Sequence, residues 1–428
     1  MADFDVIVVG AGPAGSIASY LLAKKGYTVL LVDRGKRVGS KNMFGGRLYA
    51  WSLQEVFPNF WEEAPVEREV KKEVLGFISG SEGVEISLNW EPEAKSFTLL
   101  RAKFDEWLSQ KAEDAGVEVI SGIRVESPLV EDGKVKGIVA EGDERLESEV
   151  VVAADGVLSF MAEKAGLRPP LRREDFAVGV KEVIELPKEK IEDRFGLEDR
   201  EGAAQLYIGF TGGVIGGGFI YTNLNTVSLG VVARIGSLYE SLDKVQYSMW
   251  NLLDEFKAHP IIRKYVKGGK LVEYSAHLIP ETQFLRQVRL YSDGIVLVGD
   301  AAGFCVNYGV TVRGMDFAIE SAKAAAEAID YALKSGGATS SNLSKYLELL
   351  DTGMMRELNQ AKKAVDLMEN PRIYTSYPSL IIKLMKHMFH VDGKPRRSLY
   401  DASKEFMKEE GISLITALRD VWKMLRSL

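Results

Sequence analysis

Residues 4–33 read FDVIVVGAGPAGSIASYLLAKKGYTVLLVD. Val6 to Val9 is a short β-branched run bounded by glycine, the pattern of a buried parallel strand. It runs straight into Gly10-x-Gly12-x-x-Gly15, with Pro13 and Ala14 completing the turn. An Ala/Leu-rich helix extends to Lys25, Gly26 closes it, and a second apolar strand, Thr28 to Val32, ends in Asp33. Each part has a physical task. Gly10 permits the tight turn, Gly12 lets a pyrophosphate approach the backbone, and Gly15 lets helix and strand pack closely. The helix N-terminus offers unpaired N–H groups and partial positive charge to phosphates. Asp33 is placed to accept from ribose hydroxyls. Strand, glycines, helix, strand and acid in register predict a dinucleotide site.

The loop after Asp33 is basic and glycine-rich, from Arg34 to Gly45-Gly46-Arg47, and is expected to pass near that cofactor. Residues 52–75 read as helix followed by irregular chain, and Val74 to Ser79 with Val84 to Leu88 as a hairpin. Arg101 opens an amphipathic helix through Phe104, Asp105 and Leu108. Asp132-Gly133 marks a two-residue turn between strands. Val150 to Ala153 is another buried strand, ending at Ala154-Asp155-Gly156. From 175 to 290 helical signals thin out. Alternating strands appear at Phe176 to Val183, Ala204 to Phe210, Phe219 to Asn223 and Val227 to Ala233, which predicts a mostly antiparallel sheet apart from a helix at Val245 to Lys257. Gly294 to Val298 then leads into Gly299-Asp300-Ala301-Ala302-Gly303. After Gly309 and Gly314 comes a long Ala-rich helix from Met315 to Leu333. Gly336-Gly337 with Ser340-Ser341 reads as a linker before a helical region broken at Pro371, Pro378 and Gly393.

Length and composition set the bounds. A chain of 428 residues exceeds one ordinary core, so two or three domains are expected. A net charge of −7 argues against a general nucleic-acid binder. The charge is uneven: residues 371–428 hold eleven Lys/Arg against six Asp/Glu. Such a basic tail suits an anionic lipid surface, an acidic partner, or simply a solvated helical face. The single cysteine, Cys305, can neither form an intrachain disulfide nor hold an iron–sulfur cluster, and reads as a small buried filler. The four histidines lack metal-site spacing, so no metal site is predicted. The first strand starts at once, which leaves no room for a signal peptide, and no apolar run is long enough for a spanning helix. A cytoplasmic protein, peripheral to a membrane, is expected.

Three nucleotide signals thus lie about 150 residues apart. A nicotinamide enzyme needs only the first. A flavoprotein needs more, because a ribityl chain and isoalloxazine ring must also be held. Asp300 can bind a ribityl hydroxyl, and the helix after Gly314 can aim its N-terminus at the flavin edge where charge develops.

Together the fingerprint, Arg101-x-x-Phe104-Asp105-x-x-Leu108, Ala154-Asp155-Gly156 and Gly299-Asp300-Ala301-Ala302-Gly303 resemble the hydroxylase-type FAD fold. Two segments, Gly39 to Arg47 and Gly299 to Asp316, resemble more narrowly the electron-transfer-flavoprotein:quinone oxidoreductases of the FixC type. The likeness is specific to about residue 335 and weaker beyond. It implies an α/β fold: a glutathione-reductase-like, Rossmann-type FAD-binding domain (1–75, 100–174 and 291–336), an inserted antiparallel β-sheet domain for quinone (76–99 and 175–290), and a helical C-terminal region (337–428). By the same resemblance FAD is the cofactor. Gly10, Gly12, Pro13, Ala14, Gly15, Asp33 and Arg34 bind its ADP half, and Gly45, Gly46, Arg47, Arg101, Ala154, Asp155 and Gly156 lie along it. Gly299, Asp300, Gly309, Gly314 and Met315 hold its ribityl and flavin end. Gly216, Gly217 and Tyr221 match the quinone strand, where a twisted sheet turn is the competing explanation for the glycines.

The implied activity is transfer of electrons from a reduced electron-transfer flavoprotein through FAD to a membrane quinone. Its implied partners are the flavoprotein α and β subunits and a separate ferredoxin-like iron–sulfur subunit, since this chain lacks the family's cysteine-rich domain. The implied location is the inner face of the cell membrane. A geranylgeranyl reductase is the nearest rival, but its Tyr-x-Trp-x-Phe-Pro type motif is absent. Ser379 to Phe389 has the pattern of an interfacial helix, with Leu380, Ile381, Leu384, Met385 and Met388 on one side and Lys383, Lys386 and His387 toward the other. The same face would serve equally against a partner subunit or a second copy in a homo-oligomer.

Overall fold

The structure is a computed structural model that describes residues 2–41, 46–241, 248–281, 287–309, 311–350 and 353–427. Strand β1 (Phe4–Val9), helix α1 (Pro13–Lys24) and strand β2 (Val29–Asp33) form the opening unit, with β1 and β2 parallel. Then come β3 (Arg47–Tyr49), α2 (Trp51–Val56), β4 (Val66–Ser79), β5 (Glu82–Asn89) and β6 (Ser96–Leu99). The chain returns with α3 (Arg101–Asp114), β7 (Glu118–Ser121), β8 (Val125–Glu131), β9 (Lys134–Ala140), β10 (Glu144–Ala153) and α4 (Phe160–Lys164). The middle holds β11 (Phe176–Glu185), α5 (Lys188–Phe195), β12 (Glu201–Ile208), β13 (Gly216–Thr222), β14 (Thr226–Arg234), α6 (Ile235–Ser241), α7 (Met249–Ala258), α8 (Pro260–Val266) and β15 (Lys270–Pro280). After β16 (Tyr291–Ser292), β17 (Ile295–Leu297), β18 (Val306–Asn307) and β19 (Val312–Arg313), the rest is helical. It runs through α9 (Met315–Lys334), α10 (Ser340–Leu343), α11 (Lys345–Leu350), α12 (Met354–Met368), α13 (Ser376–Phe389), α14 (Leu399–Glu409) and α15 (Leu414–Ser427).

Two sheets organise the chain. The first runs β16-β17-β10-β1-β2-β7, with β17, β10, β1, β2 and β7 all parallel. Its central strands β1, β2 and β17, and the end of β10, are buried on both faces, which is why they read as apolar runs rather than alternations. Helix α9 packs on α1, and its Ala318, Ala322, Ala325 and Ala326 are buried small side chains that allow close approach. The second sheet runs β15-β11-β14-β13-β12-β4-β6-β3, with β5 added to β4. Its outer face buries Ile220, Leu229 and Val231 against α5, α7 and α8, around Phe195, Phe256 and Ile262.

Several expectations need correction. Strand β4 starts at Val66 and belongs wholly to the second sheet, as does β3, so the expected division at residue 75 cuts through a strand. Alternation in VEREVKK is masked by its charges, because that half of the strand carries ion pairs such as Arg68–Glu192 and Lys95–Glu69. The second sheet is mostly antiparallel, as expected, with β12 pairing β4 in parallel. Gly336-Gly337 is no linker. It is a tight turn, after which α10 and α11 fold back on α9, and Tyr346 Oη donates to the Leu297 carbonyl at 2.9 Å. Pro378 does not break the chain; it sits in the first turn of α13, where a missing N–H costs nothing. The first half of the helix expected at Val245 to Lys257 lies partly outside the described residues, and the described part begins at Met249.

Candidate functional site

A cavity of about 1480 Å³ lies between the carboxyl ends of the parallel strands, the second sheet and the C-terminal helices. Ordinary ligand pockets hold about 300–1,000 Å³, so this one has room for a dinucleotide and a second molecule. The fingerprint forms one end. Gly10 has φ +101°, and a Cβ there would stand 2.3 Å from the Ala154 carbonyl oxygen. At Gly15 a Cβ would stand 1.8 Å from the Gly10 oxygen. Both glycines are therefore fixed by strand and helix packing. Gly12, Pro13 and Ala14 line the cavity, while Gly15 supports it from behind. Gly12 caps α1 with no side chain, so the first-turn N–H groups have no side-chain acceptor from the cap.

Three expected cofactor residues turn out to have duties within the protein. Asp33 accepts from Ala11 N at 3.0 Å and Gly35 N at 2.7 Å, so it first orders the two loops beside it. Asp33 also lines the cavity. Asp155 accepts from Ser159 Oγ at 2.7 Å and Met161 N at 3.1 Å and so anchors the start of α4. Burial pushes its carboxyl up, and these hydrogen bonds pull it back. Arg47 lies on β3 of the second sheet, paired with Glu73 at 2.5 and 3.0 Å and stacked over Tyr49. Gly45 lies outside the described residues. Gly46, Arg34, Ala154 and Gly156 line the cavity; Arg34 is exposed, and Gly46 packs under the Tyr221 ring.

At the centre stand Arg101 and Asp300. Arg101 opens α3 and is gripped by Asp105 one turn on, through two 2.8 Å bonds. Asp105 is fully buried, as are Phe104 and Leu108 on the same helix, which explains the spacing of that motif. Asp300 follows β17 on a single helical turn. Gly299, just before it, has φ +59° and donates to Ser321 Oγ at 2.9 Å. Burial pushes the Asp300 carboxyl up to about 6, against the pull of the Arg101 charge. Gly314 caps α9 without a side chain, and Met315 and Gly309 line the wall beside it. Arg313 and Asp316 pair across that N-terminus. Cys305 is buried, and burial pushes its thiol well up, in keeping with a filler.

The second half of the cavity is lined by β13. Gly216 and Gly217 pair with β14, while β12 pairs only as far as Gly218. A Cβ at Gly218 would stand 2.5 Å from the Phe256 ring, and one at Gly216 would stand 2.1 Å from the Val232 oxygen. Close packing thus accounts for these glycines, whatever else they do. Tyr221 points into the cavity, and burial raises its hydroxyl pKa.

Sequence reading missed His277, Arg234, Glu281, Tyr374 and Tyr377, which all line the cavity. His277 lies on β15, a strand its alternation could have revealed; burial, with the charges of Arg101 and Arg34, pushes its imidazole down to about 4. Tyr374 and Tyr377 come from the helical tail, and no local pattern marks them.

The tail also differs from expectation. Helix α13 lies against β4, β5 and α14. Lys383 pairs with Glu409 and Glu410 at 2.8 and 2.7 Å, and Lys386 with Glu82 at 2.5 Å. Both lysines of its basic face are thus held in ion pairs within the chain. The large exposed apolar stripe belongs to α15: Ile415 (80% exposed), Leu418, Trp422 and Leu425. Arg419, Lys423 and Arg426 flank it, while Val421 and Met424 reach the cavity. No helix among the described residues is long and apolar enough to cross a membrane.

Comparison with known proteins bears on this geometry. Residues 3–190 match an FAD-binding domain, 176–279 the ubiquinone-binding domain of ETF-QO, and 364–428 the C-terminal domain of the ETF-QO/FixC family. The chain is 44% identical to protein FixC of Escherichia coli K12 over 395 residues, 91% of each chain. It is 43% identical over 423 residues, 97% of each, to the probable electron transfer flavoprotein-quinone oxidoreductase YdiS of the same organism. Among solved structures, a geranylgeranyl bacteriochlorophyll reductase-like protein from Thermoplasma acidophilum superposes with a TM-score of 0.72 at 21% identity, covering 97% of this chain and 98% of that one. That last likeness is one of fold alone.

Proposed function

The chain belongs to the ETF-QO/FixC family, and from that premise we propose that it takes electrons from a reduced electron-transfer flavoprotein and delivers them to a membrane quinone. It is an FAD-dependent oxidoreductase linked to quinone. The observation that carries the finer reading is a single continuous cavity. Its walls include the dinucleotide fingerprint at one end and the β13 glycines, within the ubiquinone-binding match, at the other.

The residues present fit FAD. The Gly10–Gly15 turn would take the pyrophosphate, with Asp33 near the ribose. Asp300 would hold the ribityl chain, and the uncapped N-terminus of α9 would face the flavin edge. When bound, FAD supplies the two-electron chemistry. The chain's own residues bind, orient and exclude water. Arg101 sets positive charge beside Asp300, and Leu367, Met368 and Ile381 give the cavity an apolar stretch of wall.

The donor is an electron-transfer flavoprotein of α and β subunits. With one cysteine in the chain, a separate ferredoxin-like subunit would carry the iron–sulfur cluster. Quinones live in the bilayer, so the protein must dock there. We assign that docking to α15, whose apolar stripe with flanking basic residues suits the interface of the inner leaflet.

A steady-state assay tests the reading. Reduced electron-transfer flavoprotein should support reduction of a short-chain quinone, and NADH should not bleach the flavin of the purified subunit. Bleaching by NADH with no turnover from the flavoprotein would refute it.

A further inference from the structure

Arg234 ends β14 one residue beyond Ala233, the partner of Gly216, and its N–H donates to the Ile215 carbonyl at 2.8 Å. It therefore stands beside the glycine strand, and its side chain is buried on the cavity wall. Its two contacts are long: Nη2 to Glu281 Oε2 at 3.3 Å and Nη1 to Glu369 Oε1 at 3.5 Å. Nε is buried and has no hydrogen-bond partner among the described residues. A guanidinium carries five N–H donors in a fixed fork, and buried donors are nearly always satisfied. Nη1 and Nη2 each carry a second N–H beyond these long contacts, so the side chain keeps donors for a molecule in the cavity it lines. Glu281 is itself buried and lines the same cavity, and the Cys305 thiol feels both its charge and that of Asp300. Arg234 and Glu281 thus share one cavity wall with Asp300 and the β13 glycines.

Building on the quinone reading above, we propose that Arg234 is a catalytic residue of quinone reduction, donating a hydrogen bond to the quinone oxygen nearest β13. Reduction adds two electrons, supplied through the flavin, and two protons, drawn from water, to give the quinol. Negative charge develops on the carbonyl oxygen as the electrons arrive. A fixed cation beside that oxygen stabilises it most at that moment. Glu281 holds the guanidinium in place and Glu369 steadies it from the surface side.

The test is anaerobic stopped-flow reoxidation of the pre-reduced, FAD-loaded protein by a short-chain ubiquinone, with ferricyanide as an acceptor that has no carbonyl to bind. Arg234→Gln is expected to slow the quinone reaction about a hundredfold or more and leave ferricyanide unchanged. Its quinone rate should recover as pH falls, because a solvent proton replaces the lost positive charge, and Arg234→Lys should restore part of it. Should Arg234→Gln fail to load FAD, Arg234→Lys carries the test alone: it keeps the charge but loses the planar fork, and at least a tenfold selective loss is expected. Equal quinone rates and pH profiles in wild type and the folded variant overturn the proposal. If the wild type reduces ferricyanide but no quinone, the functional reading itself fails, and the two failures are distinct.

Discussion

Asp300 offers a prediction with opposite signs in two measurements. Its carboxyl is pushed up to about 6 from an ordinary 3.8, by burial against the pull of Arg101. A folded-state value above the unfolded one means that folding takes up a proton between those two pH values. Stability of the cofactor-free protein therefore falls as pH rises from about 4 to about 6, and above that the ionised carboxylate imposes its full penalty. A shift of about two units corresponds to at most about 3 kcal/mol, reduced by whatever water the cavity admits. Asp300→Asn removes the charge without changing the shape. The cofactor-free variant should melt up to about 3 °C higher than wild type at pH 8 for a chain of this length, with the gap closing at pH 4. FAD affinity should move the other way. A lost hydrogen bond to a charged group costs about 1.5–3 kcal/mol, roughly tenfold or more in Kd. Scanning calorimetry across pH and flavin-fluorescence titration read the two quantities. An unchanged or lower melting point at pH 8, or an unchanged FAD affinity, would refute the reasoning.

The β13 glycines and the C-terminal helix yield two further expectations. Gly218→Ala should destabilise the protein by about 1–3 kcal/mol through overpacking, because its Cβ meets the Phe256 ring at 2.5 Å; Phe256→Leu in the same chain should recover most of that in a denaturant melt, and no recovery would place the cost elsewhere. Ile415→Glu with Trp422→Glu on α15 should abolish co-sedimentation with anionic vesicles, whereas Lys383→Glu with Lys386→Glu on α13 should lower stability and leave vesicle binding intact. If the α15 pair ignores vesicles in wild type and instead controls oligomer size, that stripe covers a second copy.

How much of this was legible in the sequence depends on whether a contact is local. The opening unit was legible because each of its constraints is local: β-branched run, glycines, helix and acid follow one another within thirty residues, and their register is set by the same short loops. Asp105 was legible as a motif member but its grip on Arg101 is a one-turn contact, again local. By contrast the strand character of Val66 to Glu73 was hidden, since its polar residues pair with Glu192 and Lys95 from distant segments. Asp33 and Asp155 were found as acids after strands, yet their hydrogen bonds show that each also holds its own loop or helix in place. Arg234 and Glu281 are 47 residues apart and meet only because β11 lies between their strands, so no window of sequence contains both.

The tail shows the limit most clearly. Helices α13 and α15 both alternate apolar and basic residues at helical spacing, and periodicity reports that each has an apolar side. It does not report what covers that side. In α13 the lysines are answered by Glu82, Glu409 and Glu410, two of them from a helix later in the chain and one from a hairpin about three hundred residues earlier. Once those acids are met, the helix turns its buried positions, Pro378, Leu380 and Ile382, toward the protein. In α15 the one acid, Asp420, is drawn inward by Arg372, Tyr377 and Asn370. Anchoring at that point fixes the rotation of the helix, and with it the outward direction of Ile415, Leu418, Trp422 and Leu425. Asp420 is thus one of the contacts, together with the packing of α15 on α12, that turn the stripe outward. Asp420→Asn should accordingly loosen the helix and weaken vesicle binding without touching a single apolar residue. Vesicle binding as tight as that of wild type, in a variant whose α15 is shown by hydrogen exchange to open more readily, would separate the stripe from its anchor.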